Sequence, residues 1–149
     1  MKRFASAFLL CLILLPATVR AGGGVFLSEV AWAGSSLSSA DEWLELYNPG
    51  ETPVDLSGWR IEGAATAGAA LSIPSGSKIG AHGTFLIANY PADDAKSTLT
   101  APPDWVTTGV ALPNSNLRLV LKDAWGAVVD EAGSGSSTPP AGSSGETKV

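Results

Sequence analysis

Four clustered acids, one histidine and five tryptophans are the side chains of this 149-residue chain that could do chemistry. Glu29, Asp41, Glu42 and Glu45 are hard oxygen donors of the kind calcium takes in extracellular modules. Their spacing argues against a shared ion. Glu42 and Glu45 lie three residues apart on one expected strand and so point to opposite faces, and the chain has no Asp-x-Asp-x-Asp-Gly loop. The preferred reading is that these carboxylates accept hydrogen bonds from backbone amides or from Arg60, with no metal bound. His82 stands between Ala81 and Gly83 in a turn, and no Gly-x-Ser-x-Gly elbow accompanies it. One histidine without a cysteine partner is also too few ligands for zinc. We therefore read no catalytic residue, no cofactor and no metal.

The tryptophans raise a different chemistry, the stacking of a ligand on an indole face. Trp59 is assigned to the core. Trp43 and Tyr47 on the second face of their strand, and Trp32, Trp105 or Trp125 near loops, are the exposed possibilities. Trp32, Trp43 and Tyr47 are the candidate ligand-facing aromatics. Ordinary core and turn packing accounts for aromatic residues equally well and is the preferred reading.

The element that must position these groups is Asp41-Glu42-Trp43-Leu44-Glu45-Leu46-Tyr47-Asn48-Pro49-Gly50. It alternates apolar and polar residues and then breaks at Asn-Pro-Gly, as a half-buried strand entering a turn does. Leu44 and Leu46 share one face, taken as the core face, and Trp43, Glu45 and Tyr47 share the other. Residues 25–32 predict a preceding strand in which neither face is purely apolar, which points to a bulge or to burial on both sides. After the turn, Val54 and Leu56 pair in parity, Gly58 permits a kink, and Trp59 and Ile61 point inward between Arg60 and Glu62. Leu71-Ser72-Ile73-Pro74 reads as an edge strand, and the continuous apolar run Thr84-Phe85-Leu86-Ile87-Ala88 as a strand covered on both sides. Residues 91–104 form the longest irregular stretch. Trp105-Val106-Thr107 and Val110-Ala111-Leu112 are short strand candidates. Leu117, Leu119 and Leu121 alternate against Arg118 and Lys122, Asp123-Ala124-Trp125-Gly126 turns the chain, and residues 127–131 return. No helical period is sustained beyond residue 21. About nine short strands over this length predict an antiparallel β-sandwich.

Composition sets the surroundings. Residues 1–21 read as a secretory signal peptide: Lys2 and Arg3, an apolar run from Phe8 to Leu15, Pro16, and small residues ahead of a cut after Ala21. That run is well short of the roughly 20 residues a membrane span needs, and no later stretch reaches it. Leu10 stands before Cys11 where a lipid-attachment motif calls for a small residue, so no anchor is read there. Without Lys2, Arg3 and Arg20 the nine basic residues fall to six against fourteen acidic ones, a net of −8. Such a surface repels phosphate backbones and argues against nucleic acid as a partner. The chain after residue 21 has no cysteine and so no disulfide. Residues 25–132 are expected to form the domain, and residues 133–149, rich in Gly, Ser, Thr and Pro, a linker or disordered tail.

The combination Leu27-Ser28-Glu29-Val30-Ala31-Trp32, Asp41-Glu42-Trp43-Leu44-Glu45-Leu46-Tyr47-Asn48, Val54-Asp55-Leu56-Ser57-Gly58-Trp59 and the hairpin from Leu117 to Glu131 resembles the lamin tail domain family in its bacterial secreted form. The resemblance implies an immunoglobulin-like sandwich without an active site. In it, Glu29, Asp41, Glu42, Trp43, Glu45, Asn48, Gly58 and Trp59 are motif residues with structural roles. It also implies an accessory module, such as is often joined to secreted or membrane-associated hydrolases and nucleases. The expected function is binding or positioning at the cell envelope, with a protein or polysaccharide of the cell surface as partner. The alternative is the N-terminal accessory domain of a longer secreted hydrolase or nuclease, the reading frame being truncated after Val149.

Overall fold

The computed structural model describes residues 24–66 and 69–136. The expected leader and most of the expected tail lie outside the described residues. The described residues form ten strands: β1 (Phe26–Ala31), β2 (Trp43–Tyr47), β3 (Val54–Asp55), β4 (Arg60–Glu62), β5 (Ala70–Ser72), β6 (Lys78–Ile79), β7 (Thr84–Ala88), β8 (Trp105–Val106), β9 (Leu119–Lys122) and β10 (Val128–Ala132). They form one sheet in the order β1-β2-β7-β8, a second in the order β10-β9-β4-β5, and a short ribbon of β3 with β6. All pairings are antiparallel except β7 with β8, which run parallel because the chain crosses over through residues 89–104 before returning. The expected sandwich is therefore found, with ten strands instead of about nine and one parallel pair.

The aliphatic faces of the two sheets meet. Leu44, Leu46, Leu56, Ile61, Ile79, Ile87, Leu119 and Leu121 are fully buried in one cluster with Trp59 and Phe85. Truncating any one of these leucines or isoleucines to alanine costs about 2–5 kcal/mol in a core of this kind.

The mixed pattern of β1 is resolved by a bulge. Leu27 pairs with Leu46 and Glu29 with Glu45, leaving Ser28 as the extra residue. A side-chain period of two is thereby shifted by one, so Leu27 and Val30 both reach the core while Phe26, Glu29 and Ala31 stand on the outer face. The outer face is itself partly buried. Ala31, Trp43 and Ala88 make a second cluster against Leu86 and Leu99. Leu99 comes from the 91–104 stretch, which is held by Thr98, whose N–H and hydroxyl both donate to Asp41 Oδ2 at 2.8 Å. It is held again where the Leu86 N–H donates to Asp104 Oδ2 at 2.8 Å. A long loop closing over a sheet makes a satellite core of this sort.

Several boundaries move. Val110-Ala111-Leu112 forms only one bridge, Val110 to Ala65, because the Leu112 amide turns to a side chain, Glu42 Oε2, at 3.1 Å. Leu117 is buried but precedes β9. Val120, on the outer face of β9, is also buried. It pairs with Glu131 on one side and Glu62 on the other, and these bind Arg118 (2.7 Å) and Lys122 (2.6 Å), so four long side chains surround it.

At the far end of β2, Asn48 is fully buried with its side chain completely used. Its amide donates to Thr52 O (2.9 Å) and Gly80 O (2.7 Å), and its oxygen accepts from the Gly50 N–H (3.0 Å). Those three bonds tie the Asn-Pro-Gly turn to the segments flanking β3 and β6. Asn48→Ala removes them and strands their partners, and should cost about 3 kcal/mol. Urea denaturation measures this, and a loss under about 0.5 kcal/mol would show that the clamp is not structural.

Candidate functional site

The hairpin between β9 and β10 is fixed by one carboxylate. Asp123 Oδ1 accepts from the Trp125 N–H (3.0 Å) and the Ala127 N–H (2.8 Å), while the Asp123 and Ala127 backbones exchange a further bond at 3.0 Å. Gly126 takes a φ of +87°, which glycine adopts without strain. A side chain there would also meet the Arg60 guanidinium at 2.9 Å. With the turn held this way, Trp125 projects outward and remains 78% exposed. It rims a cleft of about 430 Å³ whose other walls include Trp59, Asn48, Pro53, Val54, Asp55 and Ala124. The lining is mainly apolar, with Asp55 and Asp123 as its charged residues. Asp55 Oδ1 accepts from the Ser57 N–H at 2.8 Å, and the Ser57 bonds hold this carboxyl below its usual range.

The aromatic candidates from the sequence lie elsewhere. Trp32 is buried in the main core and Trp43 beneath Leu99, so both are closed off from solvent, contrary to the expected outward placement. Tyr47 is half-buried on the outer face and meets Phe26 edge-on, with ring centroids 5.5 Å apart. Trp59 is buried as expected and forms cleft wall and core at once. Trp125 was legible as an exposed aromatic near a loop, and the Asp123 bonds fix the turn that carries it.

The acids do not converge. Asp41 binds Thr98, and Glu42 binds the Leu112 amide. Glu45 accepts from the Ser28 hydroxyl at 2.9 Å. Glu29 pairs with Glu45 across β1 and β2, and burial together with that neighbouring charge raises its pKa. Arg60 does not serve these acids as expected. It lies 3.8 Å from Glu62 on its own strand. Among the described residues no group of three or more His, Cys, Asp or Glu could hold a metal ion. His82 is exposed in a left-handed turn conformation (φ 49°), with Nε2 at 3.1 Å from Glu51 Oε2. Gly58, at φ +73°, makes the turn that delivers Trp59 to the cleft.

Glu42 is the most perturbed of these acids. Burial pushes its pKa up to about 7, opposed by the Leu112 hydrogen bond. Because the folded value lies above the unfolded one, this group's stabilisation is full below about pH 4.5 and is lost as pH rises through about 7. Glu29 acts in the same sense. Urea midpoints should therefore fall between pH 5 and pH 8, and Glu42→Gln, which keeps an acceptor for Leu112, should flatten the fall. An unchanged slope in that variant would remove Glu42 as its cause.

No curated protein matches the chain. The family model described as Lamin Tail Domain matches residues 18–136. That match covers well over half of the sequence and agrees with the all-β sandwich of the structure. The chain belongs to the lamin tail domain family, whose fold is immunoglobulin-like.

Proposed function

We propose that this chain is an exported, non-catalytic immunoglobulin-like module that binds at the cell envelope through the Trp125 cleft. The observation that carries the reading is the exposure of Trp125. A large indole left in water beside a preformed, mainly apolar cleft is costly unless a ligand covers it. The leader-like residues 1–21 support export, and the excess of acids speaks against nucleic acid. A non-catalytic role is consistent with acids spent on scattered structural bonds and a histidine at a surface contact. The partner is a protein or polysaccharide of the cell surface.

Retention of the purified domain on bacterial envelope fractions tests this. Trp125→Ala should reduce retention at least tenfold, as loss of an aromatic anchor does. Its urea midpoint should stay unchanged, because the side chain is mostly in solvent. Equal retention of the two proteins would sink the proposal.

A further inference from the structure

We infer that the Trp125 cleft recognises a quaternary ammonium group, such as the trimethylammonium of choline. This rests on the reading of the cleft as the binding site and names the chemistry that fits it. The charged lining residues are Asp55 and Asp123, and no Lys, Arg or His lines the cleft. Anionic ligands are repelled by that arrangement. Lys78 faces Asp55 across the β3–β6 ribbon and Arg60 lies under the Gly126 turn, but neither forms part of the wall.

Hydrogen-bonding capacity separates the remaining ligands. Both amide hydrogens and the oxygen of Asn48 are committed. Asp123 Oδ1 holds two amides, Asp55 Oδ1 one, and the Ser57 hydroxyl accepts from the Gly76 N–H at 2.9 Å. A sugar ring carries many donors and acceptors, more than the two carboxylates and the Thr52 hydroxyl of the lining can satisfy, so part of its desolvation goes uncompensated. A quaternary ammonium offers none. It carries a positive charge on an apolar surface, and the cleft lining supplies two aspartates and two tryptophans, the residue types that recognise such cations. Asp55 sits at the exposed rim with its carboxylate charged, so attraction persists at neutral pH.

Titration of the protein with choline chloride, followed by the five indole N–H resonances, tests the inference. Saturable shifts of the Trp125 and Trp59 signals are expected. 3,3-Dimethylbutan-1-ol, the uncharged isostere, and glucose should give at least tenfold weaker binding. Trp125→Ala should weaken choline binding about tenfold, in the range of one cation–π contact. Asp55→Asn keeps the acceptor for Ser57 and should weaken it several-fold. Equal binding of the isostere, or no choline shift at all, overturns the inference. Envelope retention that depends on Trp125 yet resists excess choline would overturn it while leaving the binding site in place. Vesicles separate the sources of the group: choline-reversible binding to phosphatidylcholine but not phosphatidylglycerol vesicles supports the inference with a lipid head group in place of the protein or polysaccharide partner. Saturable binding of choline with inert vesicles supports a soluble or polymer-borne one.

Discussion

The structure depends on one strand being held at both ends by buried polar side chains. β2 contributes Leu44 and Leu46 to the centre of the core, but apolar packing alone does not fix how neighbouring loops meet a strand. Directional bonds do that. At one end Asp41 and Glu42 take the amides of Thr98 and Leu112, residues distant in sequence. At the other, Asn48 takes one amide and gives two bonds to carbonyls. Asn89 joins the first end, donating to Ala40 O at 3.0 Å and Val110 O at 2.8 Å. The motif residues flanking the Trp-Leu-Glu-Leu-Tyr strand are thus the fasteners of an immunoglobulin-like frame.

The fastening is incomplete at one end. The indole N–H of Trp43 and the amide oxygen of Asn89 are buried without hydrogen-bond partners. An orphaned buried group costs about 1–3 kcal/mol. Glu42 adds the cost of a carboxylate in poor solvent, seen in its raised pKa. The Asn48 end, by contrast, leaves no side-chain atom unmatched. It is the well-satisfied end that carries the cleft, and a rigid floor there lowers the ordering cost of taking up a ligand.

The core was legible in the sequence where the pattern is local. Leu44 and Leu46 flank Glu45, and Leu117, Leu119 and Leu121 recur at every second position, the period that a strand with one face on the core requires. The Ser28 bulge was visible as a conflict between faces, though its position is set by pairing with β2. What could not be read is contact made across long separations. Trp43 resembles an outward aromatic until Leu99 closes over it, and residues 91–104 carry no apolar period that announces the closure. Val110-Ala111-Leu112 has strand composition, but Glu42 intercepts an amide that a ladder would have used. The cleft escaped for the same reason: Asp55 and Trp59, from β3 and the turn after it, meet Trp125 of the β9–β10 hairpin only in the folded sandwich.

The seam between the sheets has an effect on how copies of this domain meet. Asp130 of β10 accepts the Leu27 N–H of β1 at 2.8 Å, so the border strand of one layer is stitched to the border strand of the other. The opposite borders, β5 and β8, are three and two residues long. A stranger chain seeking to extend either layer meets a stitched hem on one side and very short ribbons on the other. These borders therefore offer a second copy of this chain little unpaired backbone with which to extend either layer.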